Sequence, residues 1–300
     1  MNGETAAQFC PLEIFKMTAK KILCNNPIKS FLETQYKNLV LKPALKLLNN
    51  RGDYPAFWTM PHDTICREIL LNGYYEKELL MGMSKLVENK AGTVLDIGAN
   101  IGNHTIFFSR VFEKVISFEP VPRNCWVLKA NLHLNQINNV HLVEKGLGNA
   151  NEKLFFRNDP ENTNDRLSRS NPSETPGENR VDVVIGDDEL GRLSYPSPIL
   201  MIKIDVEGLE PEVIMGLEKT IALHKPIVYW EAFNKVTVDQ SRALLEKLGY
   251  ENFYHLTTNR FSSKLMDKLM NSLGRNAYLK PLDQCTTFDG MNVASPKELI

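Results

Sequence analysis

"VLDIGANIG" occupies residues 94–102, and its reading decides the fold. Val94 and Leu95 lead to an acid at Asp96, one more apolar residue follows at Ile97, and glycines stand at 98 and 102. A short apolar run that closes on a glycine turn predicts a buried strand ending at Ile97. "GNHTIFFSRVF" behind it predicts a helix. In an open parallel sheet, ligands bind beyond the carboxyl ends of the strands, so this turn is a candidate binding loop. Gly98 and Gly102 would let a ligand approach the backbone closely. The dinucleotide fingerprint requires G-x-G-x-x-G, whereas the spacing here is G-x-x-x-G and the third glycine is missing. An acid beside the turn also suits a cationic ligand better than a pyrophosphate, which seeks a helix N-terminus free of negative charge.

Strand and helix signals alternate on both sides of this stretch. "KVISFE" (114–119), "NVHLVE" (139–144), "ILMIKID" (199–205) and "PIVYWEAF" (226–233) read as buried strands. "PVPRNCWVLKANLHLN", "EPEVIMGLEKTIAL" and "TVDQSRALLEKLGY" read as the helices between and after them, with "ENFYHLTT" and "DQCTTFDGMNVAS" as late strands. Such alternation implies βαβ units around a parallel sheet. Two stretches break the pattern. Residues 157–180 are almost wholly polar, Pro or Gly and are expected to form a mobile surface loop. Residues 261–280 carry Phe261, Leu265, Leu269 and Leu273 at helical spacing among basic residues, which predicts a helical insertion between the last two strands.

Three acids fall where successive strands should end. Glu119 closes the second strand, 17 residues after Gly102, where a carboxylate can accept hydrogen bonds from both hydroxyls of a ribose. Asp205 and Glu207 close "IKIDVEGLE" just before Gly208. They read as a proton-accepting pair, a metal pair or simple helix-terminus charges; for Glu210 the helix dipole is the better account. Together, an acid-flanked glycine turn and a ribose-binding carboxylate describe an adenosyl ligand that carries positive charge and no phosphate, and S-adenosylmethionine fits. His104, in the first turn after the glycine loop, Glu231, at the end of "IVYWE", and His62 are further candidates for a general base. No tight metal-ligand spacing appears, so no metal site is expected.

"VLDIGANIGNHT", "FEPVPRN", "IKIDVEGLEPEVIMG" and "PIVYWE" resemble, in order and spacing, the FkbM family of S-adenosylmethionine-dependent methyltransferases. The resemblance spans roughly residues 70–295. It implies a class I methyltransferase fold: a Rossmann-like, seven-stranded, mostly parallel sheet with helices on both faces. It implies transfer of a methyl group to a hydroxyl oxygen, often of a sugar or natural product. By the same resemblance Asp96, Gly98, Asn100, Gly102 and Glu119 bind the cofactor, and Glu76 in "GYYE" lies on the cofactor or substrate side. Asp205, Glu207, His104 and Glu231 are the catalytic candidates. "VIGDDEL" departs from the family pattern, with Gly186 where Leu is usual. Two other classes compete: an NAD-dependent oxidoreductase or epimerase, and a binding protein that has kept a nucleotide fold without catalysis.

The composition is that of an ordinary globular chain: 300 residues, 43% hydrophobic, with a formal net charge of -1. That balance gives no ground for a nucleic-acid partner. No apolar run is long enough for a transmembrane helix, and the first residues lack the pattern of a signal peptide. The five cysteines form no C-x-x-C pair and read as free thiols in a reducing cytosol. Residues 1–60 are expected to be a helical extension and 61–300 the methyltransferase domain. Within the first 51 residues, eight basic side chains face three acids, a balance that suits peripheral contact with an anionic membrane as well as a solvated cap. The expected partner is a small-molecule or glycan acceptor; the sequence leaves its identity and the oligomeric state open.

Overall fold

The structure is a computed structural model that describes residues 55–59, 65, 68–69, 72–156, 167–169, 180–193, 198–232, 234–258, 277–285 and 290–299. All of them belong to one compact unit, Pro55–Ile300. Residues 1–54 of the extension expected at 1–60, His62, most of the 157–180 loop and residues 261–276 of the insertion expected at 261–280 lie outside the described residues.

The first described helix, α1 (Lys77–Leu86), precedes strand β1 (Thr93–Ile97), helix α2 (Asn103–Ser109), β2 (Lys114–Phe118), α3 (Pro122–Leu134) and β3 (Val140–Val143). Four short strands follow: β4 (Gly146–Gly148), β5 (Glu152–Phe156), β6 (Leu167–Ser168) and β7 (Arg180–Ile185). Helix α4 (Gly186–Leu193), β8 (Ile199–Ile204), α5 (Glu210–Gly216), α6 (Glu218–His224), β9 (Ile227–Trp230) and α7 (Lys235–Lys247) resume the alternation. The chain ends with β10 (Asn252–Thr258), β11 (Ala277–Pro281), a 3₁₀ turn and β12 (Met291–Ser295).

The main sheet has the order β11-β10-β12-β9-β8-β1-β2-β3. Strands β9, β8, β1, β2 and β3 run parallel, whereas β12, β10 and β11 join antiparallel. This is the class I methyltransferase arrangement, with one correction. The sheet has eight strands rather than seven, because residues 277–280, expected to close the helical insertion, are strand instead: β11 adds an edge by pairing Ala277–Pro281 with Tyr254–Thr258.

The period of two explains the two cores. Leu95 and Ile97, Ile116 and Phe118, Ile202 and Ile204, and Val228 and Trp230 face one side, where they pack with Leu190, Val213, Ile214, Ile221 and Leu245. Val94, Val115, Met201 and Tyr229 face the other and meet Leu80, Met83, Ile106 and Phe108. Each fully buried side chain of this size contributes about 1.5–3 kcal/mol.

The expected helix over "EPEVIMGLEKTIAL" is two helices broken at Leu217, whose φ/ψ of -116° and 15° are not helical. The unexpected residue Gly186 follows from the same place. A Cβ on Gly186 would lie 2.5 Å from Cδ2 of Leu217, which is fully buried, so the leucine occupies the space a side chain would need. Next door, the Asp187 carboxylate accepts hydrogen bonds from the Lys219 and Thr220 amides at 2.8 and 2.9 Å, capping the start of α6. The second sheet, β4-β7-β5-β6, was not foreseen. Its strands are two to six residues long, and β6 lies inside the stretch expected to be a loop.

Candidate active site

The carboxyl ends of β1, β2, β8 and β9 open into a cavity of about 470 Å³. The row of acids and bases around it starts from strand register. Asp96 stands opposite Ser117 on β2 and Lys203 on β8, so one polar row crosses the sheet on the α2 face. Thr105 of α2 covers this row: its hydroxyl donates to Asp96 Oδ2 at 2.6 Å and lies 2.8 Å from Ser117 Oγ. Lys203 Nζ is 3.1 Å from Asp96 Oδ1 and 3.5 Å from Asp205 Oδ2, and it donates to the Gly98 carbonyl at 2.8 Å. Burial opposes the charge on Lys203, but Asp96 and then Asp205 more than offset it, so the lysine stays protonated. Lys203 was not anticipated as a site residue. Its signal was present in "ILMIKID", where a lone lysine interrupts an apolar strand.

Asp96 therefore lies beneath the cavity rather than in its wall: it is fully buried, and its charge is matched by Lys203. Gly102 is likewise behind the lining, with its would-be Cβ 3.0 Å from Leu128 Cγ. Gly98 does line the cavity, but a Cβ there would meet the Asp205 carbonyl oxygen at 1.8 Å, and its φ is +78°. The neighbouring strand end already requires a glycine here, whatever approaches the loop from the cavity.

Four amides of the loop are already used. Gly98 and Ala99 donate to the Phe118 carbonyl, Gly102 donates to Ala99, and Asn100 donates to Glu119 Oε2 at 2.8 Å. A pyrophosphate cradle needs such N–H groups turned toward the ligand. The dinucleotide reading thus loses four of its donors as well as its third glycine.

Glu119 is held from both sides. Its other oxygen, Oε1, accepts from the Val121 amide at 2.9 Å and from Asn124 Nδ2 at 3.3 Å. Burial pushes its carboxyl up to about 7, against the pull of those N–H donors. The carboxylate lines the cavity beside the apolar side chains of Pro120, Val121, Leu147 and Leu167.

Three strand steps separate β2 from β9 in the sheet order, roughly 14 Å at the usual strand spacing. The far end holds Glu76, His104, Asp205, Glu207 and Glu231. The side chain of Asn103 brackets Tyr75, accepting from its amide at 3.0 Å and donating to its carbonyl at 2.9 Å, which sets Glu76 next to α2. Glu76 takes a left-handed backbone, φ +54°, at the start of α1. Burial, and next the charge of Asp205, push its carboxyl up to about 7. His104 Nε2 is 4.0 Å from Glu76 Oε2, yet burial and then Lys203 push the imidazole down to about 4. At neutral pH this is a contact with a neutral histidine, not an ion pair.

Asp205 and Glu231 share a proton. Burial and then Asp205 push Glu231 up to about 10, so it keeps its proton and donates toward its neighbour. Burial alone would raise Asp205, but Lys203 and then the Glu231 hydrogen bond hold it below its ordinary value. Glu207 lines the cavity from a left-handed position, φ +58°. Glu210, read from sequence as a dipole charge, accepts from the Gly208 and Val206 amides at 2.9 and 3.3 Å and so shapes this turn. Among the described residues no group of three or more His, Cys, Asp or Glu side chains is set to hold a metal ion.

The donor set fits a cationic adenosyl group: a fixed carboxylate for vicinal hydroxyls beside an apolar wall, then a carboxylate-rich end for positive charge. Comparison with known proteins agrees. A family model described as the methyltransferase FkbM domain matches residues 96–251. The chain is 30% identical over 197 residues to methyltransferase sdnD of Sordaria araneosa, covering 53% of this chain and 73% of that protein. It is 24% identical over 185 residues to methyltransferase 1 of Beauveria bassiana (strain ARSEF 2860), covering 52% and 71%. Among solved structures it resembles a methyltransferase FkbM from Methylobacillus flagellatus KT, at TM-score 0.44 and 19% identity, covering 76% of this chain and 58% of that one.

Proposed function

The chain belongs to the FkbM family of methyltransferases, with S-adenosylmethionine as cofactor, and from that premise we propose that it methylates a hydroxyl oxygen, that of a sugar in a glycan or glycosylated natural product. The observation that carries this reading is the carboxyl cluster at the β8–β9 end of the cavity. A hydroxyl is a weak nucleophile and gains from a base that takes its proton as the new bond forms. When bound, the cofactor would supply an electrophilic methyl carbon on a sulfonium, whose carbon–sulfur bond breaks as the carbon–oxygen bond forms, leaving a neutral thioether.

The protein's share is to hold, orient and move one proton. Glu119, fixed by the Asn100 and Val121 amides, accepts the ribose hydroxyls without having to reorganise. Asp205 stays ionised between Lys203 and Glu231 and favours the cation. Glu231 keeps its own proton and cannot accept another. His104, at about 4, is a weak base. Glu76, at about 7, stands nearest the working pH, where a general base is most effective, so we assign it the proton ahead of Asp205 and Glu207. The crowd of carboxylates favours a neutral acceptor over a phosphorylated one.

The test is transfer of labelled methyl from S-adenosylmethionine to a panel of neutral glycosides, hydroxylated aglycones, amines and sugar phosphates. Methyl ethers formed on the neutral hydroxyl compounds are the expected products. N-methyl products alone, or preference for the phosphates, would overturn the reading.

A further inference from the structure

The small sheet supplies a cavity wall that the βαβ frame cannot. Strand β6 is the outer edge of that sheet, and its ladder pairs are Leu167 with Phe156 and Ser168 with Phe155. Leu167 packs against the buried cluster of Val121, Phe156 and Val181 and lines the cavity on the Glu119 side. Its Cδ1 lies 3.6 Å from where a Cβ on Gly146 would stand, and so does Cβ of Pro120, so both side chains flank Gly146. A two-residue edge strand has little of its own to keep such a side chain in place.

Arg169, the next residue but one, supplies the missing restraint. Its Nε and Nη2 donate to both carboxylate oxygens of Glu152 on β5 at 3.1 and 2.8 Å. Its Nη1 and Nη2 donate to both oxygens of Glu212 in the first turn of α5 at 3.2 and 2.8 Å. One planar guanidinium is thus forked onto two carboxylates, one on each side of the junction between the small sheet and the main fold. The side chain is 55% exposed, so a single such pair would count for little; two bidentate pairs on one group form a network that fixes position as well as charge.

We propose that Arg169 is a positioning residue for the cofactor: it clamps β6 to α5 so that Leu167 closes the apolar wall against which the adenine base lies. The inference rests on seating the cofactor with its ribose at Glu119. It requires no contact between Arg169 and any ligand.

Calorimetric titration of S-adenosylmethionine and of 5′-methylthioadenosine, which carries the base and ribose without the amino acid, tests this. Leu167→Ala and Arg169→Met should each weaken both ligands by about ten-fold, the scale of losing part of one apolar side chain's contact. Arg169→Lys should recover only part, because an ammonium cannot fork onto both carboxylates. The double variant should bind no worse than Leu167→Ala alone, since both act through one side chain. Added salt should weaken binding of the uncharged 5′-methylthioadenosine in the wild type and leave it unchanged in Arg169→Met. A purely structural arginine would lower the melting temperature and leave both affinities as they were; that result overturns the clamp and spares the cofactor seat. Additive losses in the double variant also overturn it. A wild-type protein that binds S-adenosylmethionine but not 5′-methylthioadenosine overturns the seat and the clamp together.

Discussion

The two ends of the cavity are built on opposite principles. At the β2 end one carboxylate, Glu119, receives three N–H groups and faces apolar side chains. At the β8–β9 end, four carboxyls share the space with one lysine and a neutral histidine; Glu231 keeps a proton, Asp205 gives its up, and Glu76 stands near the midpoint between the two states. The first end is organised to hold a ligand whose shape does not change during reaction. The second is organised to let a proton move. Lys203 joins the two, because its one positive charge lies between Asp96 beneath the glycine loop and Asp205 at the acid end.

Removing Lys203 should break that comparison hardest. Lys203→Met would leave Asp96 and Asp205 without their counter-charge, and loss of one partner from a buried pair costs about 3–5 kcal/mol. Urea denaturation should show this loss, with Lys203→Met/Asp96→Asn recovering part of it. Stability within about 0.5 kcal/mol of wild type, the range of an ordinary surface substitution, would mean that the polar row is not a unit.

The acid end should respond in turnover rather than in binding. Glu76→Gln is expected to cut turnover by roughly 100-fold or more while cofactor affinity changes little. Steady-state kinetics with the acceptor found in the panel, set beside calorimetry, separates the two effects. If Asp205→Asn or Glu207→Gln shows that loss and Glu76→Gln does not, the proton belongs to the pair first read from "IKIDVEGLE".

A smaller effect is expected with pH. Glu76 and Glu119 are pushed up to about 7 in the fold, so the native state binds more protons than the unfolded chain between about 4.5 and 7. Stability should therefore fall as pH rises through that window, since the unfolded state binds fewer protons there. Glu231, pushed up to about 10, adds to this slope, whereas His104, pushed down to about 4, opposes it below about 6.5 and Asp205 opposes it only under stronger acid. Denaturation midpoints at pH 5 and pH 8 check the sign, and Glu119→Gln should flatten the slope.

The frame and the strand-end acids were legible because each rests on a local pattern: apolar runs at period two, a glycine turn, an acid where a strand stops. Of the residues proposed for the site, Glu76, His104, Gly98, Asn100, Glu119, Asp205, Glu207 and Glu231 line one cavity, whereas Asp96 and Gly102 stand behind it. Asp96 falls behind the lining because register sets it beside Lys203 and Ser117, neighbours that no single strand reveals. The small sheet was missed for the same kind of reason. Leu167–Ser168 has no pattern of its own and becomes a strand only by pairing with Phe155 and Phe156. Arg169 looked like one polar residue among many in a polar stretch, and its partners lie 17 and 43 positions away in the chain.

The account stands most directly on Glu119 as the fixed point of the cofactor. Calorimetric titration of S-adenosylmethionine into wild type and Glu119→Ala, with NAD titrated in parallel, tests it. The expected result is binding of S-adenosylmethionine and not of NAD by the wild type, and a loss of about 1–3 kcal/mol in a folded Glu119→Ala protein, the scale of hydrogen bonds to a charged group. Equal affinity in the two proteins, or binding of NAD in place of S-adenosylmethionine, would contradict it.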